Sequence, residues 1–259
     1  MDLGVSWVVN GLTHNTPIVL VLILIFSPLE RLFSIHPQPL LRRRLWVDFA
    51  FLWGQFLLWG SGTVVALLWV QGALMELDWV GVIHAYTHTL PSAVLLIMGV
   101  VLSDLCIYWG HRLSHQLPWL WSIHRVHHTA RTLDWIAAYR EHPLDHLYTR
   151  LIENLPLLIL GVPLEALAGF FVFRGLWALW IHSNADLPVG PLKYLCGSPH
   201  LHHWHHDEAT GGQYNFANLC PLMDLLFGTY YAPPGYPTRY GPDERVGASA
   251  SHPLVEDRR

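Results

Sequence analysis

The stretch HRLSHQLPWLWSIHRVHH, residues 111–128, places five histidines directly after a long apolar segment. Thirteen of the eighteen histidines of the chain lie between His111 and His206, and most of them repeat three or four residues apart. Because residues at this spacing share one face of a helix, each cluster can direct two or three imidazoles to one point. The pattern predicts a metal site in a helical protein.

The number of histidines predicts more than one metal ion. Neutral imidazole is a ligand for iron, copper, nickel and zinc, and nine or more converging nitrogens exceed what one tetrahedral zinc ion would use. We therefore expect a dimetal site. The histidines could instead be isolated core residues or part of a loose metal-binding tail. Separate clusters embedded in apolar sequence argue against both of these interpretations. The candidate ligands are His111, His115, His124, His127, His128, His182, His202, His205 and His206.

Four other histidines lie near these clusters. His142 and His146 are one turn apart, but Pro143 marks a helix start or a bend, so the spacing does not fix a common direction. We expect His142 to be a ligand or a close neighbour of the ligands, and we leave the role of His146 open. His200 and His203 lie off the helix face shared by the last cluster, and we expect them to contact ligands or substrate.

Composition identifies the class of protein. With 52% hydrophobic and only 13% charged residues, the chain is typical of membrane proteins. The net charge of −4, with no basic stripe beyond residues 42–44, argues against a nucleic-acid partner. The three cysteines have no short mutual spacing, so neither a disulfide framework nor a cysteine-based metal site is indicated. The first apolar run lacks the features of a cleaved signal peptide, and we expect it to be retained as a helix.

The apolar stretches predict the membrane topology. The first three stretches are long enough for single crossings. The fourth is broken by Pro156, Gly161 and Pro163, and it predicts two helical pieces that form a re-entrant hairpin or a tight pair of spans. The stretches cover residues 16–33, 45–70, 91–109 and 151–181.

Arginines between the first two stretches predict the orientation. The loop with Arg42, Arg43 and Arg44 is expected in the cytoplasm by the positive-inside rule. The third span then returns to that side, and the hairpin returns the later histidines to it. We expect an all-α, multi-span membrane protein with a cytoplasmic helical cap that holds the dimetal site. The membrane is expected to be a bacterial inner membrane, or the endoplasmic reticulum if the protein is eukaryotic.

The domain organisation follows from these segments. Residues 1–91 are predicted to be N-terminal transmembrane helices, and residues 92–234 are predicted to be the catalytic region with the metal-binding cap. Residues 235–259 are rich in proline, glycine and charge, and they predict an exposed, disordered tail.

Two carboxylates are candidate catalytic residues. Asp104 lies two helical turns before His111 in an apolar span, where a carboxylate is costly unless it is paired. We expect it to accept a hydrogen bond from the distal nitrogen of a metal-bound imidazole. The alternative is a structural partner for a neighbouring helix. Asp186 follows His182 by four residues and is a candidate oxygen ligand or hydrogen-bond acceptor.

A nitrogen-rich dimetal site at a membrane surface suits oxygen activation on a lipid better than hydrolysis. The sequence has no Gly-x-Gly-x-x-Gly motif, no P-loop and no cysteine pair, so electrons are expected from a separate reductase, ferredoxin or cytochrome. A membrane zinc metallohydrolase is one alternative, although the sequence lacks His-Glu-x-x-His. A metal transporter or sensor is another, and it would require ligands distributed along the spans.

The ordered motifs resemble those of the fatty acid hydroxylase/sterol desaturase superfamily over roughly residues 92–234. They are Asp104 with Tyr108-Trp-Gly-His111-Arg-Leu-Ser-His115, His124-Arg-Val-His127-His128, Glu141-His142-Pro143-Leu144, Trp180-Ile-His182-Ser-Asn184, Ser198-Pro199-His200-Leu-His202-His-Trp-His205-His206, and Asn215-Phe216 with Asp224-Leu-Leu-Phe227-Gly228-Thr229.

The resemblance implies a non-haem di-iron membrane enzyme that uses O2 to hydroxylate or desaturate a lipid such as a sterol or a fatty acyl chain. It implies the nine histidines above as ligands, with His142 as a tenth, and zinc as a substitute in purified protein. Ala217 stands where the family usually has glycine. Asp186 stands where some fatty acyl hydroxylases have another histidine, which is closer to the sterol and alkylglycerol branches. We expect any cytochrome b5 donor to be a separate protein.

Overall fold

The structure is a computed structural model that describes residues 3–162, 164–187 and 189–242. The described residues form helices and no strands, apart from isolated bridges that join Ser34 to Ala185 and Asp207 to Tyr240. The all-α prediction is confirmed. The helices are α1 (Leu3–Leu32), α2 (Leu45–Gly54), α3 (Gly60–Met75), α4 (Asp78–Thr87), α5 (Ser92–Gln116), α6 (Pro118–His128), α7 (Pro143–Ile159), α8 (Leu164–His182), α9 (Pro199–His205) and α10 (Leu222–Leu226).

In the part of the chain that the structure describes, three helical segments are long and apolar enough to cross a membrane, as the sequence predicted. They are Val9–Leu32, Leu45–Met75 and Ser92–Gln116. The second segment is continuous because a π-helical turn, Gln55–Trp59, joins α2 to α3. Two short 3-10 helices, Trp135–Tyr139 and Gly190–Tyr194, lie in the loops before α7 and α9.

The fourth apolar stretch forms two helices, α7 and α8, as predicted, and the break lies at Gly161 and not at Pro156. Helix α7 continues through Pro156 and ends at Ile159. The chain turns at Gly161, which has a φ of +69°. A Cβ at this position would lie 2.9 Å from Cδ2 of His84, so glycine is required both by the backbone and by the close approach of α4. Pro163 lies outside the described residues.

Close packing of α5 against α7 positions the site. A Cβ at Gly110 would lie 1.9 Å from Cδ1 of Ile152, so the missing side chain lets the two helices approach. On the other side of the bundle, Phe26 of α1 stacks on Trp135 with 5.8 Å between ring centroids. Leu52 and Leu179 complete this buried apolar cluster. The 3-10 helix before α7 is thereby fixed to the membrane helices.

The arginine loop has a structural role as well as a topological one. Arg42 is buried, and its guanidinium donates to Asp48 at 2.6 Å and to Asp134. Asp48 also accepts from Arg140. A buried carboxylate between two guanidinium groups keeps each charge paired. Among the three consecutive arginines, only Arg43 and Arg44 are exposed.

The tail prediction was wrong for residues 235–242. Tyr240 is only 4% exposed, and its hydroxyl lies 2.7 Å from Nδ1 of His203 and 3.0 Å from Nε2 of His36. These buried hydrogen bonds, which composition could not reveal, hold the segment against α9. The rest of the predicted tail, residues 243–259, lies outside the described residues.

Candidate metal centre

Nine histidines converge in two adjacent groups, and the candidate ligand atoms of each group lie within 4.8 Å of one another. All but His111 are buried. These nine are the same histidines that the sequence predicts as metal ligands. Group one is His111, His115, His124, His128 and His205, and group two is His127, His182, His202 and His206.

Helix geometry explains how the clusters divide between the groups. On α6, His124 and His128 are one turn apart and join group one, whereas His127 points to group two. At the end of α9, His202 and the C-cap residue His206 join group two, whereas His205 points to group one. The shared spacing His-x-x-His-His therefore lets each helix contribute to both groups.

The local sequence starts both of these helices at defined positions. Pro118 and Pro199 occupy the first turns of α6 and α9, where a missing N–H costs nothing. Ser198 is the N-cap of α9, and its hydroxyl accepts a hydrogen bond from the N–H of Leu201 at 3.5 Å. The last turns of α5 and α8 provide the remaining ligand candidates, so four helices meet at the centre.

Carbonyl groups fix the protonation of four of the rings. Nδ1 of His111 donates to the carbonyl of Phe216 at 2.8 Å, and Nδ1 of His205 donates to Tyr214 at 2.7 Å. In group two, Nδ1 of His127 donates to Arg140 at 3.2 Å and Nδ1 of His182 donates to Ala178 at 2.7 Å. A carbonyl only accepts, so in each neutral ring Nδ1 carries the proton and Nε2 carries a lone pair.

Buried Nε2 atoms lie close together in both groups. Nε2 of His182 lies 3.0 Å from Nε2 of His127, and neither of these two atoms carries a proton. Nε2 of His182 also lies 2.9 Å from Nε2 of His202. In group one, the buried Nε2 atoms of His111, His115 and His205 have no hydrogen-bond partner among the described residues. Buried lone pairs this close repel unless a cation lies between them. Both groups fit bound metal ions.

Burial keeps the imidazoles in the form that binds metal. It lowers the pKa of His124 to about 4. It lowers the pKa of His127 to about 3, and the neighbouring His124 contributes to that shift. Burial and neighbouring imidazoles also lower the pKa of four further rings well below the usual value. These rings are His128, His202, His205 and His206. Neutral rings at physiological pH need lose no proton before they bind a metal.

Asp145 orients one histidine of group one and was not identified from the sequence. Its Oδ2 accepts a hydrogen bond from Nδ1 of His124 at 3.0 Å. Burial, together with the charge of Glu141, raises the pKa of Asp145 to about 8. Either protonation form offers an oxygen that accepts this N–H. The sequence feature that could have identified Asp145 is its position within the histidine-containing segment Glu141–His146.

Asp224 supports the centre through a loop. Its carboxylate accepts from the backbone N–H groups of Phe216 at 2.8 Å and Ala217 at 3.0 Å, and from Thr229 Oγ1 at 2.8 Å. These bonds fix the carbonyl of Phe216, which accepts from His111. Burial raises the pKa of Asp224 to about 6.

His142 and His146 lie outside both groups. Nδ1 of His142 accepts a hydrogen bond from the N–H of Leu144 at 3.2 Å, so this ring caps α7. Nδ1 of His146 donates to Oε2 of Glu141 at 3.0 Å. Burial alone would raise the pKa of Glu141, but this hydrogen bond and the charges of His146 and Arg150 lower it to about 2. Glu141 is therefore ionised beside the histidines.

Among the described residues, Asp104 accepts hydrogen bonds from other groups and not, as we expected, from an imidazole. Its carboxylate accepts from Nη1 of Arg174 at 3.0 Å and from the N–H of Cys220 at 3.0 Å. Arg174 lies in the middle of α8, and an arginine in an apolar segment was the signal for this pairing. The structure thus shows the alternative in which Asp104 joins neighbouring elements.

The other named residues surround the centre. The Asp186 carboxylate accepts a hydrogen bond from the hydroxyl of Tyr236 at 2.8 Å. Among the described residues, it has no hydrogen bond to a histidine of either group. Nε2 of His203 lies 3.1 Å from the carbonyl of Ser183, the residue after His182. Nε2 of His200 lies 3.0 Å from the carbonyl of Pro233. Neither His200 nor His203 joins a group, as expected from their helix positions.

A cavity of about 80 Å³ lies against both groups. Its walls combine histidines with polar side chains and a few apolar residues from α5, α7 and α8. The polar part of the wall consists of Ser114, Glu141, Tyr148, Thr149, Arg150 and Asn218. The centre can thus bring a small molecule or one end of a larger one against metal ions held by the imidazoles.

Comparisons with known proteins agree with this centre. The fatty acid hydroxylase family model matches residues 96–229, which is more than half of the chain. The chain is 32% identical over 152 residues to ornithine lipid hydroxylase OlsE of Rhizobium tropici, covering 58% of this chain and 46% of the relative. It is 29% identical over 155 residues to human alkylglycerol monooxygenase, covering 58% of this chain and 32% of the relative.

A third relative is Delta(7)-sterol 5(6)-desaturase ERG3A of Gibberella zeae, which is 26% identical over 175 residues, covering 66% of this chain and 48% of the relative. The chain spans about a third to a half of the length of these curated relatives. No solved structure matches the chain significantly. The family match includes all nine converging histidines, and the chain belongs to the fatty acid hydroxylase family.

Proposed function

We propose that this protein is a membrane-bound di-iron oxygenase that hydroxylates or desaturates a C–H bond of a lipid. The observation that carries the proposal is the pair of imidazole groups whose buried Nε2 lone pairs face one another. The family and the names of the relatives, which include a hydroxylase, a monooxygenase and a desaturase, support a lipid oxidation.

Iron suits these ligands and this reaction. Imidazole binds ferrous iron well, and nine nitrogens in two groups are sufficient for two ions. Two iron ions held here would supply the oxygen-activating chemistry that an inert C–H bond requires. Zinc is expected to replace iron in protein purified without iron, because the same ligands bind it.

The reaction defines the co-substrates. Hydroxylation inserts one oxygen atom of O2 into the C–H bond and releases the other as water, and it consumes two electrons and two protons. The chain has no motif for a nicotinamide, flavin or iron–sulfur donor, so a separate cytochrome b5-, ferredoxin- or reductase-type protein would supply the electrons.

The chain's own residues would hold the metals and position the lipid. Carbonyl groups and Asp145 orient the imidazoles, and the polar wall of the cavity would hold one end of the substrate. We propose that residues 92–234 form the catalytic region, that residues 1–91 anchor it, and that the centre lies on the cytoplasmic side. Exposed Arg43 and Arg44 support this orientation.

Oxygen consumption tests the proposal. Iron-loaded protein with a working electron donor is incubated with lipids extracted from its host, and oxygen uptake and lipid masses are measured. Lipid-dependent uptake with a mass gain of one oxygen, or a loss of two hydrogens, is expected. Absence of both changes would contradict the proposal, and reductant-independent turnover by zinc-loaded protein would favour a hydrolase.

A further inference from the structure

Helices α5, α7 and α8 line an apolar groove as well as the polar cavity at the metal centre. The groove has a volume of about 340 Å³ and adjoins a second cavity of about 360 Å³, with which it shares Leu96, Val162 and Ala166. Among the described residues, its walls contain no charged side chain. The groove is lined by Leu96, Val100, Leu157, Val162, Ala166, Gly169, Phe170 and Phe173.

A layer of ion-paired side chains lies between this groove and the cavity. Nη1 of Arg174 lies 3.0 Å from Oδ1 of Asp104, and Nε of Arg174 lies 3.0 Å from Oε1 of Glu153. Glu153 also pairs with Arg150, which lines the polar cavity. We call these four side chains, Asp104, Arg150, Glu153 and Arg174, the ionic layer.

The layer lies between the two spaces along each helix. On α5, Asp104 falls between Val100 of the groove and Ile107 of the cavity. On α8, Arg174 follows Phe173 of the groove and precedes Ala178 of the cavity by one turn. On α7, Glu153 lies one turn from Leu157. The groove and the cavity therefore occupy the same seam on opposite sides of the layer.

The layer has an unused hydrogen-bond donor. The Arg174 side chain is only 4% exposed, and its guanidinium lies over the ring of Phe170, a wall residue of the groove, with 5.3 Å from Cζ to the ring centroid. Its Nη2 has no hydrogen-bond partner among the described residues. A buried guanidinium in an apolar segment is costly, and an unpaired buried donor adds to that cost. An acceptor from a bound molecule would satisfy this atom.

The charge of the surroundings selects the kind of acceptor. Two guanidinium groups balance two carboxylates within the layer, and the carboxyl group of Glu141 lines the same cavity wall as Arg150. A ligand carboxylate or phosphate would add an unbalanced negative charge in a buried place. A neutral oxygen of an ester, amide or ether accepts a hydrogen bond without that penalty.

We propose that the ionic layer is the subsite for a neutral linkage oxygen of the lipid, with the hydrocarbon chain in the apolar groove and the carbon to be oxidised on the polar side. The inference rests on the proposed function and names its substrate class: a lipid with an ester, amide or ether linkage, rather than a free fatty acid. The attack falls within a few bonds of the linkage, because the cavity at the metal centre is too small for a long chain.

Lipid binding without turnover tests the polar part of the proposal. Zinc-loaded full-length protein in detergent is titrated with methyl stearate, stearic acid and octadecane, and bound lipid is measured by native mass spectrometry. Methyl stearate is expected to bind about fivefold more tightly than the other two, since one hydrogen bond is worth about 1 kcal/mol. In Arg174→Lys, which keeps the charge but removes the Nη2 donor, this preference should disappear.

A pair of glycines tests the groove. A Cβ at Gly169, which lines the groove, or at Gly175, which lines neither space, would meet no atom within 4 Å. Gly169→Leu is expected to weaken methyl stearate binding about tenfold and leave methyl octanoate unaffected, whereas Gly175→Leu changes neither. Thermal unfolding of all variants verifies the fold. The inference would be overturned if stearic acid bound more tightly than methyl stearate, or if Gly169→Leu bound methyl stearate as tightly as the wild type.

Oxygen uptake separates this inference from the proposed function. Lipid-dependent uptake by iron-loaded protein combined with preferential binding of the free acid would overturn only the inference. The expected lipid preference without any oxygen uptake would overturn the oxygenase proposal, and with it the assignment of this subsite to a substrate. Product masses that place oxygen at the chain terminus would also overturn the inference.

Discussion

Hydrogen bonds donated by Nδ1 decide which nitrogen five of the nine histidines offer to a metal. Backbone carbonyls perform this task for His111, His127, His182 and His205. His124 differs, because its acceptor is the side chain of Asp145. Such partners fix the tautomer and the ring orientation of a metal ligand.

Replacement of Asp145 should therefore weaken metal binding without removing a ligand. We expect Asp145→Ala to lower the affinity of group one by about 10- to 100-fold, because the His124 ring loses its orienting acceptor. Competition titration with a chelator measures this affinity. Asp186→Ala is the control, since Asp186 contacts Tyr236 and should leave the affinity unchanged. Equal affinities for all three proteins would refute the role of Asp145.

His142 provides a second test at the same scale. The family resemblance implies a ligand, whereas the ring caps α7 and lies outside both groups. We expect His142→Ala to keep the full metal content and to lower stability by about 1 kcal/mol, the usual cost of a lost helix cap. Metal analysis and thermal unfolding measure the two effects. Loss of a metal ion from this variant would show that His142 is a ligand after all.

At the scale of helices and loops, residue spacing predicted which histidines share a helix face, but it did not predict which distant residues contact them. Steps of three and four residues predicted that the histidines of α6 and α9 would converge, and they do. Their division between two groups depends on how four helices meet, which local spacing does not encode. The partner of Asp104 was missed for the same reason, since Arg174 lies 70 positions away in the chain.

The loop after α9 makes a prediction about packing. A Cβ at Gly197 would lie 1.9 Å from the carbonyl oxygen of Asn218, which belongs to the loop that presents the Phe216 acceptor to His111. We expect Gly197→Ala to cost about 1–3 kcal/mol, because a backbone atom has to move. Gly62→Ala meets nothing within 4 Å and should be neutral or slightly stabilising. Thermal unfolding compares the variants, and equal midpoints would contradict this packing.

For the whole molecule, composition and apolar length predicted the membrane class and the all-α fold correctly. The break in the fourth stretch was predicted too, although its position followed from the contact between Gly161 and His84. The C-terminal segment was misjudged because a proline- and glycine-rich composition does not reveal that Tyr240 bonds to His203 and His36. Long-range hydrogen bonds decided the C-terminal segment and the partners of Asp104, whereas a local cap hydrogen bond decided the role of His142.

The central claim is that nine histidines form two separate metal sites, and metal content tests it most directly. Protein is produced with abundant iron, purified without oxygen and analysed by mass spectrometry for bound metal. The wild type is expected to hold two iron ions per chain, and His205→Ala and His127→Ala, which each remove one ligand from a different group, are expected to lose one ion each. A single ion in the wild type, or a metal content unchanged by both substitutions, would contradict the account.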